Sequence, residues 1–233
     1  MNVRPVGSPR RSLLVRSLPK DRGAGDDRFA WGDGGRVLSL CDGASEGWDG
    51  AGWAAALATA LCRMENPVAA VEAARTRRRA LGAGAGWLES AARERGSWAT
   101  ALVVRVRAGG RVVEAAAVGD TVLFILDGCK PVTSFPVDHA SAFGDSPDLV
   151  AENGKESPRF VEAEFPLSGL RAPRLALVTD ALAARALSEP EAGRNALWAF
   201  LLGSPAQAFS AWARAEIRIG RLKQDDLTLV AVV

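Results

Sequence analysis

One histidine and three cysteines are all that this 233-residue chain has of the residues that build soft-metal and thiol chemistry. With His139 alone, a His-rich metal site or a Ser-His-Asp triad is improbable. Cys41, Cys62 and Cys129 are odd in number and lack CxxC spacing, which argues against a disulfide framework and against zinc. No run of about 18 apolar residues exists, so no membrane span is expected. The N-terminus carries Arg4, Arg10, Arg11 and Arg16 but no apolar stretch suited to a signal peptide. The expected location is therefore the cytoplasm. Charge of one sign is also lacking: the net charge is +2, which favours neither nucleic acid nor a membrane surface as partner.

What is present is ordinary for a globular protein, with 48% apolar and 24% charged residues. Residues 1–11 read as a flexible tail, and 12–233 as a single domain able to bury a sizeable core. Strands are expected at 12–18, 28–31 and 36–41, the last two joined by Gly32-Asp33-Gly34-Gly35. Residues 44–52 read as a Gly-rich loop. Helical periodicity covers 53–64 and then 67–94, broken near Gly82. Strands follow at 98–107, 111–118 and 122–126. Pro, Gly, Ser and Asp dominate 131–173, which reads as a long loop with one strand at 159–165. A buried strand at 174–179, helices within 182–187 and 195–219, and a closing strand at 227–233 complete the chain. Strands, helices, strands, helices, strand is an α+β order, not βαβ alternation.

Against this background, four Asp-bearing segments stand out: Asp42-Gly43, Gly119-Asp120-Thr121, Thr179-Asp180-Ala181 and Asp225-Asp226-Leu227-Thr228. Each sets Asp against an apolar, β-branched run. A carboxylate buried there is costly unless paired or bound to metal. Asp42 at a strand tip has the bland alternative of a turn residue. Asp180 has that of a helix cap. Neither alternative covers all four, so strand ends converging on a hard cation are the leading reading. Ser45, Glu46 and Asp49 do not match the calcium-loop spacing. Cys41 reads as packing, since nothing basic adjoins it.

The order of segments resembles the metal-dependent Ser/Thr protein phosphatases of the PP2C (PPM) type, in their compact bacterial form. The carrying motifs are Arg22-Gly23-Ala24-Gly25-Asp26-Asp27, Asp42-Gly43, Gly96-Ser97-Trp98-Ala99-Thr100-Ala101, Gly119-Asp120-Thr121, Thr179-Asp180-Ala181 and Asp225-Asp226-Leu227-Thr228. The resemblance implies a four-layer αββα sandwich with two central antiparallel sheets. It implies hydrolysis of phosphoserine and phosphothreonine in proteins by metal-activated water. Asp42 would bridge two Mn²⁺ or Mg²⁺ ions, with the Gly43 carbonyl on one and Asp180 and Asp225 on the other. Asp120 would help hold a looser third ion, Asp26 and Asp27 would organise metal-bound water, and Arg22 would bind the substrate phosphate. Oxygen ligands suit hard cations, and an Arg fork suits phosphate, on general grounds.

The chain departs from the pattern at Ala44, where relatives often carry a His that can act as general acid. A catalytically weak binding or signalling module and a small-molecule phosphomonoesterase therefore stand as alternatives. His139, after the Gly-Asp-Thr hairpin, reads as a loop-ordering residue with a general acid as the sharper option. Trp48 and Trp53 flank the acidic loop, either as core or lining a substrate groove.

Overall fold

The structure, a computed structural model, describes residues 12–21, 23–81, 94–144 and 146–232. The expected tail at 1–11, Arg22 and the second helical segment after Gly82 lie outside these. Twelve strands are described: β1 (Leu13–Leu18), β2 (Arg28–Gly32), β3 (Val37–Cys41), β4 (Trp98–Ala99), β5 (Ala101–Arg107), β6 (Val112–Val118), β7 (Val122–Asp127), β8 (Lys130–Phe135), β9 (Val150–Ala151), β10 (Val161–Pro166), β11 (Pro173–Val178) and β12 (Leu227–Val232). The described helices are α1 (Gly50–Arg63), α2 (Pro67–Leu81), α3 (Asp180–Ser188), α4 (Glu191–Gly203) and α5 (Ala206–Arg218).

Two five-stranded antiparallel sheets, β1-β12-β11-β7-β8 and β10-β6-β5-β3-β2, form the centre, and β4 pairs with β9 beside them. Strand periodicity explains the layering, because successive side chains face opposite ways. In β12, Val230 and Val232 join Leu123, Ile125, Leu102 and Val104 in the core between the sheets. Leu227, Leu229 and Ala231 point the other way, onto Leu182, Trp198, Leu201 and Phe209 of α3, α4 and α5. On the other sheet, Cys41, Ala101 and Val103 pack outward against Trp53, Leu57 and Leu61 of α1 and Val71 of α2. The architecture is the expected αββα sandwich.

The segment 131–173 differs from expectation. It holds three strands, β8, β9 and β10, where one was expected. Pro131 and a polar composition mask β8, but β8 is an edge strand hairpinned to β7, with a register shift between Ile125 and Leu126. An edge position tolerates Pro because one side of the ladder is free. Helix α1 starts at Gly50, earlier than the Gly-rich composition suggests, because Asp49 accepts the Gly52 amide at 2.9 Å and caps it.

Candidate metal centre

Five carboxylates gather where the two sheets end together. Asp27 precedes β2 and Asp42 follows β3 in one sheet; Asp180 follows β11 and Asp225 precedes β12 in the other. Asp120 sits in the β6–β7 turn that links the sheets. Burial and neighbouring charge are legible in the protonation of three of them, Asp42, Asp27 and Asp120. Burial, followed by the charges of Asp27 and Asp180, raises Asp42 well above the ordinary carboxylate range. Burial also pushes Asp27 up to about 7, and burial with the Asp180 charge pushes Asp120 up to about 6.

The wiring that places them is mostly threonine. The Asp42 amide donates to Thr100 Oγ1 at 3.0 Å, and the Thr100 amide donates back to the Asp42 carbonyl at 2.9 Å. Thr100 Oγ1 lies 2.6 Å from Thr121 Oγ1, tying Asp42 to the Asp120 turn. Gly119 lies in the left-handed region (φ +92), and an added Cβ would come within 2.7 Å of the Asp148 carbonyl and 2.8 Å of Thr100 Cγ2. Thr179 Oγ1 accepts the Thr228 amide at 3.0 Å, and the Thr179 amide donates to the Thr228 carbonyl at 3.1 Å, locking the ends of β11 and β12 together. Gly43 is fixed by close approach: a Cβ there would come within 2.6 Å of the Gly50 carbonyl and 3.0 Å of the Asp26 carbonyl.

Asp226 holds the remaining piece. It is 4% exposed, and its Oδ1 accepts the Lys20 amide at 2.7 Å while Oδ2 accepts the Asp26 amide at 2.6 Å. It therefore clamps the loop that ends in Asp26 and Asp27. Asp26 Oδ2 in turn accepts the Ser45 hydroxyl at 3.1 Å. No role was assigned from sequence to Asp226, nor to Thr100, Thr121, Thr179 or Thr228. The one available signal is that each lies in one of the quoted motifs.

The other sequence candidates fall as follows. Asp180 opens α3, but its carboxylate does not cap it: buried Oδ1 has no hydrogen-bond partner and Oδ2 faces Lys223 Nζ at 3.3 Å. Asp49 serves α1 and Arg78, at 2.8 Å, which leaves no calcium loop. Trp53 is fully buried and donates to the Val150 carbonyl at 2.8 Å, so it is core and not groove, whereas Trp48 is half-buried. His139 is 64% exposed beside Asp138, at the start of a short turn that packs on α3. Cys41 is buried, and burial raises its thiol pKa.

The donor set fits a hard divalent cation. Both oxygens of Asp27 and Oδ1 of Asp180 are closed off from solvent without a well-formed hydrogen bond, although the Thr228, Asp42 and Thr179 side chains stand within electrostatic reach of Asp27. Such oxygens are expensive unless a cation takes them. Every group offered is a carboxylate or carbonyl, which suits Mg²⁺ or Mn²⁺. Among the described residues, no three acidic, His or Cys side chains already stand gathered as a coordination sphere. The ammonium of Lys223 instead bridges Asp180 and Asp225.

At the sequence level, no protein-family model and no curated protein matches this chain. Solved structures do. The Mycobacterium tuberculosis serine/threonine phosphatase PstP/Ppp aligns with a TM-score of 0.61 and 20% identity, over 96% of this chain and 98% of that one. The fold is that of the PP2C-type phosphatases. Staphylococcus aureus Stp1, a serine/threonine phosphatase, shares this PP2C fold at a TM-score of 0.65 and 13% identity, over 96% and 94% of the two chains. The photosystem II phosphatase PBCP does so at 0.59 and 14%, over 95% and 98%. The PstP catalytic domain, at 0.60 and 20% over 95% and 97%, was solved with two manganese ions. Among the described residues of this PP2C-like chain, no helix is long and apolar enough to cross a membrane.

Proposed function

We propose that residues 12–233 are one metal-dependent phosphatase domain that hydrolyses phosphoserine and phosphothreonine esters in proteins. The observation that carries this reading is the set of unpartnered, buried oxygens on Asp27 and Asp180, next to an Asp42 whose charge is strongly disfavoured without a cation. The shared fold and the manganese-bearing PstP catalytic domain support it. Asp42, the Gly43 carbonyl, Asp180 and Asp225 would hold two Mn²⁺ or Mg²⁺ ions, and Asp120 a looser third. Bound, such ions supply positive charge for the phosphoryl oxygens and lower the pKa of water.

The rest falls to the chain's own side chains. Asp26 and Asp27 would organise metal-bound water, and the Asp226 clamp on the Asp26 amide holds their loop. Arg22, four residues before Asp26 as in the resembled motif, offers a two-pronged clamp for the substrate phosphate. Ala44 offers no proton, and His139 is exposed and paired with Asp138, so protonation of the leaving group falls to water or another group. Ala44 and the Lys223 ammonium on the carboxylates favour a second reading, a catalytically weak binding module. One assay separates the readings: Mn²⁺-dependent turnover of a phosphopeptide and of an aryl phosphate by wild type and by Asp180→Asn. Turnover of the phosphopeptide that is lost in Asp180→Asn supports the phosphatase. Turnover of the aryl phosphate alone points to a small-molecule enzyme, and none of either to the binding module.

A further inference from the structure

Lys223 lies in the connection between α5 and β12, two residues before Asp225. Its Nζ is 3.3 Å from Asp180 Oδ2 and 3.2 Å from Asp225 Oδ2. Its positive charge also reaches Asp120 in the β6–β7 turn. On the other side of Asp225, Lys20 Nζ stands 3.6 Å from Oδ1 and also bonds the Ser45 hydroxyl. The two oxygens of Asp225 thus each face an ammonium, and one of those ammoniums spans the two carboxylates assigned above to a single ion. From these contacts we infer that Lys223 is an internal competitor for that ion, setting how tightly Mn²⁺ or Mg²⁺ binds between Asp180 and Asp225. The inference rests on the metal-dependent reading of the site.

The physical argument is exclusion. A divalent ion takes carboxylate oxygens at about 2.0–2.6 Å. An ammonium bonded to the same two oxygens then lies within direct repulsion of the ion. It must leave before the ion can settle. The Lys223 side chain is 62% exposed, so it has open solvent to swing into and its removal should not disturb the core. Exposed ion pairs are weak, which limits the competition to a modest factor.

The test is calorimetric titration of metal-free protein with Mn²⁺, with bound Mn²⁺ counted by electron paramagnetic resonance. Lys223→Met keeps length and removes the charge; it should tighten Mn²⁺ binding about three- to tenfold. Lys223→Arg keeps the charge and should stay within about twofold of wild type on the same grounds. In an Asp180→Asn background the gain from Lys223→Met should shrink, because one of the two contacted charges has gone. An affinity in Lys223→Met that is unchanged or weaker overturns the competition while leaving the metal site intact. No Mn²⁺ binding by either wild type or Lys223→Met overturns both this inference and the metal-dependent reading beneath it.

Discussion

Replacing Asp226 by Asn should loosen the loop that carries Asp26 and Asp27 without touching any proposed metal ligand. Both Asp226 oxygens accept backbone amides, from Lys20 at 2.7 Å and Asp26 at 2.6 Å. Asn offers one oxygen, and its NH₂ group would face the other amide donor to donor. The loss is one hydrogen bond to a charged acceptor, about 1.5–3 kcal/mol, with a buried N–H left unpaired. Removing the charge also relieves repulsion on Asp27, but Asp226 stands behind burial and Thr228 among the influences there. A net loss of about 2 kcal/mol lowers the melting temperature by roughly 4–8 °C in a domain of this size. Calorimetry gives the shift, and amide hydrogen exchange at Lys20 and Asp26 localises it. With Mn²⁺ present the Asp27 repulsion is already offset, so the drop should be larger than in chelator. An unchanged melting temperature with unchanged protection of those two amides would refute the clamp.

Asp42→Ala and Asp225→Ala should each lower phosphatase activity by several orders of magnitude. In chelator Asp42→Ala should melt no lower than wild type, because it removes a like charge from the cluster; full activity in Asp42→Ala would remove the metal-site assignment. Metal-free protein should also lose stability as pH rises. Asp27 and Asp120 hold their protons up to about 7 and about 6, above the unfolded carboxylate value. Their contribution is therefore complete below that unfolded value and disappears as pH passes the folded values. Chelated protein should melt higher at pH 5.5 than at pH 7.5, and Mn²⁺, which needs the deprotonated carboxylates, should reverse the order. Arg22→Ala should raise KM for a phosphopeptide with Mn²⁺ affinity unchanged, and Arg22→Lys should restore it only in part, since a point charge lacks the fork.

The apolar runs of β7, β11 and β12 and the position of Asp beside them were readable because a strand buried on both faces shows as a continuous apolar run along the chain itself. So was the α+β class, since strands and helices arrive in blocks, whereas the four-layer order was implied only by the family resemblance. Strand β8 was not readable: Lys130-Pro131-Val132-Thr133-Ser134-Phe135 has a loop's composition and becomes a strand only because β7 offers it a partner. Trp53 was equally open from sequence, and the packing of α1 on β3 and β5 put it in the core. The same division runs through the site. Sequence located the Asp residues as separate strand ends; that Asp27 and Asp180 disfavour the charge of Asp42 follows from two sheets ending at one place. Asp226 gripping the amides of Lys20 and Asp26, some 200 residues earlier, and Lys223 bridging Asp180 and Asp225 are contacts between distant segments. No local pattern encodes them, because a hydrogen bond or ion pair between distant residues leaves no periodicity in either segment, and only chain closure brings the partners within reach.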